Sequence, residues 1–493
     1  MIMSTLKPFH TTLSRACATA ASLLLTACAV GPDYQQPKLD LPTAFKEGVD
    51  WQRGAAYPQG ALDSRWWRVF NDSQLTALVE KSLQANQSIV SAEAAYREAQ
   101  AEVAADQASL FPTLSGGVDA SRGTFSSTSG SGSSSSTSTG TLHNTASATL
   151  TASWEPDLWG SVRRQIEAGK ANAQGADATL AGERLSISAS VAADYFALRE
   201  YDSDIDLLQQ EQGIDSRILD LTRASFEQGT ASNDSVLEAQ DTLEAVIAAL
   251  QASKIAREQE EHAIAVLIGV APANFSIPPQ AGYRYATPAI PLAIPSVLLQ
   301  RRPDVVTAER AAAAANARIG VAEAAFFPTL TLSAEGGFQH NTFANLFSLP
   351  NRVWTVGPDL AATLFDGGAR TAAVHEAEAT YDEDVANYKE TVLTAFQNVE
   401  DSLSSVKHLS DEAQAYQHVY RRNQQLYASQ QAQLQAGTAS EQSLLTQQLT
   451  LLSAEQTLRD AQGQLAQSQV VLIKNLGGGW QWPSPSAPQA AKP

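Results

Sequence analysis

Residues 146–155 read Ala146-Ser147-Ala148-Thr149-Leu150-Thr151-Ala152-Ser153-Trp154-Glu155. Side chains alternate faces along an extended strand, so Ala146, Ala148, Leu150, Ala152 and Trp154 share one side and the hydroxyl residues share the other. A strand of about ten residues with one apolar face suits a soluble antiparallel sheet or a tilted membrane-crossing strand. The alternation alone leaves both open. Leu330, Leu332, Ala334 and Phe338 repeat it against Thr329, Thr331, Ser333 and Glu335. Trp354, Val356, Leu360, Ala362 and Leu364 form another apolar row, and Leu114, Val118 and Ala120 a weaker one. Strands are therefore expected at about 113–125, 143–156, 329–340 and 352–364.

Outward from these strands, the chain is written twice. Phe-Pro-Thr-Leu stands at 111–114 and again at 327–330, each time after an Ala-rich segment of helical character. Gly160-Ser161-Val162-Arg163 is echoed by Gly367-Gly368-Ala369-Arg370 (367 − 160 = 207), and Gly-Thr-Ala-Ser at 229–232 recurs at 437–440 (437 − 229 = 208). Leu267-Ile268-Gly269 matches Asn475-Leu476-Gly477, again 208 apart. This is an internal duplication of about 200 residues, too long a period for a solenoid. Each copy has the order helix, two strands, helical hairpin. Residues 126–141 between the first two strands are all Ser, Thr or Gly, a composition that cannot bury a core. The turn-rich 341–351 takes that place in the second copy.

The remaining sequence points to very long helices. The chain has 21 prolines, yet none in 157–271 or 359–482, as continuous helix requires. Helices from about 161 to 228 and from 368 to 436 would each be roughly 100 Å long at 1.5 Å per residue. Leu444, Leu451, Leu458, Leu465 and Leu472 are spaced by seven, and Ala454, Ala461 and Ser468 follow three positions after their leucines. The first copy places Val236, Leu243, Leu250, Arg257 and Ile264 in that heptad. Such a repeat predicts close, coiled-coil-like packing. The two Gly-Thr-Ala-Ser segments then read as tight turns, glycine ending one helix and Ser or Thr capping the next.

Charge and composition exclude other classes. The chain has 493 residues with 33 Lys+Arg against 52 Asp+Glu, a net charge of −19, which argues against a nucleic-acid partner. Its seven histidines lack metal-ligand spacing, and no phosphate loop or nucleophile elbow occurs. No enzyme activity, metal or cofactor is expected.

Residues 1–27 carry Lys7 and Arg15, an apolar run, and Leu25-Thr26-Ala27 before Cys28. This is a secretory signal ending in a bacterial lipobox-like sequence, so Cys28 is expected to carry covalent lipid and become the first residue of an outer-membrane lipoprotein. No later stretch offers ~18 continuous apolar residues, so any further crossing must be made of β-strands. Four strands cannot close a barrel, and open edges in lipid would leave several kcal/mol of unmet hydrogen bonding per group. Copies of the chain must pool their strands, eight from two or twelve from three, through closed symmetry.

At this point the chain resembles an outer membrane factor of the TolC type, in the OprM/NodT-like lipoprotein branch of tripartite efflux systems. The residues carrying the resemblance are Trp66-Trp67 with Phe70-Asn71-Asp72, and Trp154-Glu155-Pro156-Asp157-Leu158-Trp159-Gly160. Leu298-Leu299-Gln300-Arg301-Arg302-Pro303-Asp304 leads into Asn316-Ala317-Arg318-Ile319-Gly320 and Phe326-Phe327-Pro328, and Leu476-Gly477-Gly478-Gly479-Trp480 closes the set. The resemblance implies a mainly α fold with a membrane β-barrel: a homotrimer with a 12-stranded barrel, a long α-helical barrel through the periplasm, and a small equatorial domain. It implies a layout of 28–70 (anchor and equatorial segment), 71–271 (first repeat), 272–303 (linker), 304–476 (second repeat) and 477–493 (equatorial tail).

What the family does follows from the same resemblance: a passive exit channel for drugs and small toxic compounds. Its tip docks a periplasmic adaptor, which couples it to an RND-type or ABC-type inner-membrane pump. Thr230, Ala231, Thr438 and Ala439 are the implied adaptor contacts, and Gln442, Ser443 and Thr446 the implied periplasmic gate. The gate departs from the acidic or leucine residues of the family, with only Glu441 and Asp234 as nearby carboxylates, so a looser, less cation-selective constriction is expected. Arg301-Arg302 reads as a basic helix entry that pairs structurally. A type I protein-secretion duct and a non-channel periplasm-spanning lipoprotein are the alternatives; the latter leaves the four alternating strands unexplained.

Overall fold

A computed structural model describes residues 29–40, 42, 44–47, 64–125, 141–288, 290 and 302–482. Cys28, Arg301 and most of the Ser/Thr/Gly loop lie outside these residues. A 3₁₀ turn at Trp66–Phe70 leads into α1 (Ser73–Ala85), which Asp72 caps by accepting from the Gln74 and Leu75 amides at 2.8 and 3.0 Å. Then follow α2 (Gln87–Ala108), β1 (Thr113–Phe125), β2 (Thr141–Trp154), α3 (Ser161–Glu227) and α4 (Asn233–Leu267). The second copy gives α5 (Pro303–Ala324), β3 (Thr329–His340), β4 (Arg352–Ala361), α6 (Ala369–Gln435) and α7 (Glu441–Asn475). α3 and α6 have 67 residues each, and α4 and α7 have 35 each, so the paired helices match in length even though few of their residues match. Among the described residues no helix is long and apolar enough to cross a membrane.

Two strand boundaries differ from expectation. β2 runs Thr141–Trp154 rather than 143–156, because Pro156 and the cap made by Asp157 end it early. β4 stops at Ala361, so Ala362 and Leu364 leave the apolar row; Leu364 lies past the sheet, 95% exposed. From Phe-Pro to the following Gly landmark the first copy is nine residues longer (160 − 111 = 49 against 367 − 327 = 40). Longer strands supply five of the nine and the 126–140 loop the other four.

The chain forms two compact units that ignore the repeat boundary. One comprises Met1–Pro37, Arg97–Gln174 and Glu309–Ala386; the other comprises Lys38–Tyr96, Gly175–Ala308 and Asn387–Pro493. Each takes pieces of both copies, so a repeat is a unit of sequence and not of packing. The first holds a single antiparallel sheet in the order β1-β2-β3-β4. All four strand ends that join helices lie at one end of it, as the pairs Thr113↔Ser153, Trp154↔Leu332 and Thr329↔Ala361 show.

The second unit holds the main core. Trp66, Trp67 and Phe70, Tyr195 and Phe196 of α3, Tyr283 of the 272–290 segment, and Leu472, Ile473 and Leu476 at the end of α7 are buried together. The N-terminal segment, the middle segment and the chain's last helix thus converge on α3. Of the α7 heptad, Leu458, Leu465 and Leu472 are buried, while Leu444 and Leu451 are half-buried. Packing fades toward the αα turn.

Candidate conduit wall and gate

The strand register sorts the sheet into two chemically distinct faces. Leu114↔Ala152↔Ala334↔Val356 form one cross-strand row, Val118↔Ala148↔Phe338 another, and Trp154↔Leu332↔Pro358 a third. The opposite face carries Ser115↔Thr151↔Glu335↔Thr355 and Asp119↔Ser147↔Gln339. The apolar face is not covered: Leu114, Val118, Leu150, Trp354, Val356 and Leu360 are 59–74% exposed. A continuous exposed apolar face marks a membrane or partner surface. With a polar reverse side, it has the chemistry of a membrane barrel wall whose inner surface is wet. Aromatic residues flank it at both ends. Phe111, Phe326 and Phe327 stand near the helix-joined ends, and Phe343 and Phe347 in the β3–β4 loop. β1 and β4 are open edges within the chain.

Below the sheet, the motif Trp154–Gly160 seats the chain that follows Cys28. The Val30 amide donates to the Trp159 carbonyl at 3.0 Å, while the Trp159 indole donates to the Pro328 carbonyl at 2.7 Å and stacks on Phe327. Arg164, nearly buried, donates to the carbonyls of Val30 and Gly31 and pairs with Asp33 at 3.0 Å. Asn316 holds the Pro32 carbonyl at 2.9 Å, and Tyr34 donates to Glu309 at 2.7 Å. Gly31 and Gly320 meet so closely that a Cβ on Gly31 would lie 2.4 Å from the Gly320 Cα. The motifs that carry the family resemblance therefore have a structural task. They fix residues 29–34 at the helix-joined end of the sheet.

The two αα turns are geometrical duplicates. The Thr230 amide donates to the Ser225 carbonyl and the Gly229 amide to Phe226, both at 2.9 Å; Thr438 and Gly437 do the same to Gln433 and Leu434 at 2.9 and 3.0 Å. This is the Schellman closure, which needs a left-handed residue, supplied by Gly229 (φ 75°) and Gly437 (φ 74°). Ser232 and Ser440 then cap α4 and α7, accepting from Ser235 and Ser443 amides at 3.1 and 3.2 Å. Thr230 and Thr438 are exposed at the turns, whereas Ala231 and Ala439 are half-buried. Gln442, Ser443 and Thr446 are all exposed on the first turns of α7. Ser443 accepts from the Gln430 amide nitrogen at 2.8 Å, and Thr446 bonds back to the Gln442 carbonyl at 2.9 Å.

The ion pair beside Gln442, Ser443 and Thr446 had no sequence signal. Arg217 of α3 meets Glu441 of α7 in a two-pronged contact, Nε to Oε1 at 2.8 Å and Nη2 to Oε2 at 3.1 Å. Its hydrogen bond holds the Glu441 carboxyl below its ordinary range. Nothing in local spacing announces partners 224 residues apart. Glu441 is thus committed to a helix–helix contact and does not stand as a free carboxylate at the helix start.

Farther along α3 the contacts are of another kind. Arg199 (1% exposed) donates to Asp202 at 2.6 Å, to the Pro278 carbonyl at 3.0 Å and to Gln74 at 2.7 Å. Asp202 also accepts from Arg257 of α4 at 2.6 Å and from the Gln280 amide at 3.0 Å. Arg257 reaches Glu261 and the Ile277 carbonyl. Asp72, while capping α1, accepts from the hydroxyls of Tyr195 and Tyr283 at 2.8 and 2.7 Å. Arg302 is likewise structural, paired with Asp304 and donating to the Asn475 carbonyl at 3.2 Å. Beside this network, α3 and α7 bring together Glu200, Asp204 and Asp460. Burial, then the neighbouring Asp460 and Asp204, pushes the Glu200 carboxyl up to about 8; burial, then Asp204, pushes Asp460 up to about 7. Among the described residues no group of three His, Cys, Asp or Glu is arranged to hold a metal ion.

Comparison with known proteins agrees with this geometry. The family model described as "Outer membrane efflux protein" matches residues 78–270 and 294–478. The toluene efflux pump outer membrane protein TtgC of Pseudomonas putida is 29% identical over 472 residues, 95% of this chain and 96% of the relative. Nodulation protein T of Rhizobium leguminosarum bv. trifolii is 30% identical over 397 residues, 78% of this chain and 80% of the relative. The solved outer-membrane channel OprN superposes with a TM-score of 0.81 at 29% identity, over 92% of this chain and 100% of its own. The chain belongs to the outer membrane efflux protein family: it is a TolC-like, passive channel component of the Gram-negative outer membrane and not an enzyme.

Proposed function

We propose that three copies of this chain close a 12-stranded barrel (3 × 4) and stack their long helices into one conduit, which serves as the exit duct of a tripartite efflux pump. The observation that carries this reading is the four-stranded sheet: one face apolar and exposed, one face polar, and both edges open. Lipid forbids such edges unless neighbours pair with them, and closed symmetry among copies pairs every one. Three copies leave a water-filled lumen, whereas eight strands would fill theirs with side chains.

In this reading Cys28 carries lipid. The seat for residues 29–34 supports it, because it holds the residues that follow Cys28 in sequence at the helix-joined end of the sheet, the end from which acyl chains would reach the periplasmic leaflet. Gln442, Ser443 and Thr446 line the closed periplasmic gate, and Arg217–Glu441 ties two helices there. Thr230, Ala231, Thr438 and Ala439 meet the periplasmic adaptor of an RND-type or ABC-type pump. The cargo is small toxic compounds, as the name of the toluene-efflux relative suggests, and the pump selects it. The full-length protein should extract as a detergent-stable trimer that conducts in planar bilayers. A monomer without conductance would overturn the reading.

A further inference from the structure

One row of the apolar face is half glycine: Gly116↔Leu150↔Gly336↔Trp354. A glycine inside a strand weakens it, and it marks a bend, a bulge or a place where another molecule approaches the backbone. The neighbouring Gly337, on the polar face, has a packing reason, since a Cβ there would lie 2.2 Å from the Ala148 carbonyl oxygen. Gly336 has none. A Cβ at this position meets nothing within 4 Å, and its φ is not left-handed. Its register partner Trp354 does not cover it either, so aromatic shielding of a strand glycine does not explain the choice.

The gap has walls and a basic rim. Val118, Leu150, Phe338 and Trp354 border it, and Phe347 packs edge-on against Phe338 at 5.6 Å at its loop end. The groove is open to the surface, with a volume of about 780 Å³. Arg352 also lines it, beside Val353 at the loop end of β4; its side chain is exposed and has no hydrogen-bond or ion-pair partner among the described residues. A guanidinium at the margin of a lipid-facing surface is costly unless an anion meets it, and its fork matches phosphate oxygens. The loop ends lie opposite the helix-joined ends, which places Arg352 toward the external leaflet.

We propose that this groove is a lipid site, in which one acyl chain of a phosphorylated glycolipid of the external leaflet, lipopolysaccharide, lies over Gly336 while a phosphate of the same molecule pairs with Arg352. The proposal rests on the reading that the apolar face meets lipid. Because a Cβ on Gly336 meets nothing within 4 Å, Gly336→Ala is the conservative probe, and Gly336→Leu fills more of the gap.

The test uses native mass spectrometry of the full-length, detergent-extracted protein titrated with purified hexa-acylated lipid A or with phosphatidylglycerol. The wild type should hold lipid A in preference to phosphatidylglycerol. Arg352→Gln and Gly336→Leu should each weaken lipid A retention about tenfold, with trimer mass and conductance unchanged. Equal retention by wild type and both variants would overturn the site. Equal retention of the two lipids would overturn its assignment to lipopolysaccharide. A wild type that never yields a trimer counts against the barrel itself, a result separable from loss of lipid in an intact trimer.

Discussion

Two of the six arginines of α3, Arg199 and Arg217, do opposite work. Arg199 is enclosed and donates to three elements at once, whereas Arg217 makes one exposed contact, to Glu441. The surroundings differ in the same sense. Around Arg199 lie buried aromatics and the converging chain segments, while near Arg217 the heptad leucines are only half-buried and the surface residues are Gln, Ser and Thr. One continuous helix is therefore clamped at one point and lightly tied at another. The tip gate proposed above would use this asymmetry, since low local packing is what permits local movement.

Thermal unfolding of the solubilised protein separates the two sites most strongly. Arg199→Ala leaves Asp202 buried with part of its pairing gone and should cost about 3–5 kcal/mol. Arg217→Ala should leave the midpoint unchanged. Equal losses would erase the distinction. A second test uses pH. The folded state keeps the Glu200 proton up to about pH 8, whereas the unfolded chain loses it near the ordinary value of 4.5. The folded state thus binds more protons across that window, and stability should fall as pH rises through it. Glu200→Gln should flatten the slope; an unchanged slope would show that the carboxyls between α3 and α7 do not set it.

Smaller effects probe the turns. Gly437→Ala puts a Cβ on a left-handed residue at φ 74° and should cost about 1–2 kcal/mol locally, read as faster amide exchange around 433–443. Gly229→Ala should match it, because the two turns share one geometry. The weakest effect concerns ions. With Glu441 held by Arg217 and Gln442, Ser443 and Thr446 uncharged, millimolar divalent cations should block conductance only slightly, and strong block would contradict that electrostatic picture.

Much of the fold was legible because its signals are periodic. The alternation in 146–155, the α7 heptad and the paired Gly-Thr-Ala-Ser segments each specify local geometry, and the turns they imply share the same Gly and Thr amide bonds and the same serine cap in both copies. The end of β4 was not legible, since Ala362 and Leu364 continue the alternation past the last ladder pair. Arg257 shows a deeper limit. It occupies a heptad position where a leucine belongs, and only the fold reveals that Asp202 and Glu261 neutralise it there. The duplicated tips also differ in charge where backbone duplication predicts none. The positions equivalent to Arg217 and Glu441 are Gln425 and Asn233 (217 + 208 and 441 − 208), so only one of the two related seams can carry this ion pair.

The most direct test of the account is single-channel conductance of the full-length protein in planar bilayers, comparing wild type, Arg217→Ala and the charge-swapped pair Arg217→Glu with Glu441→Arg. An exposed ion pair biases an equilibrium by up to about fivefold, so Arg217→Ala should raise open-state occupancy by that order and the swap should return it toward wild type. Identical conductance and gating in all three would contradict a tip held shut by this contact.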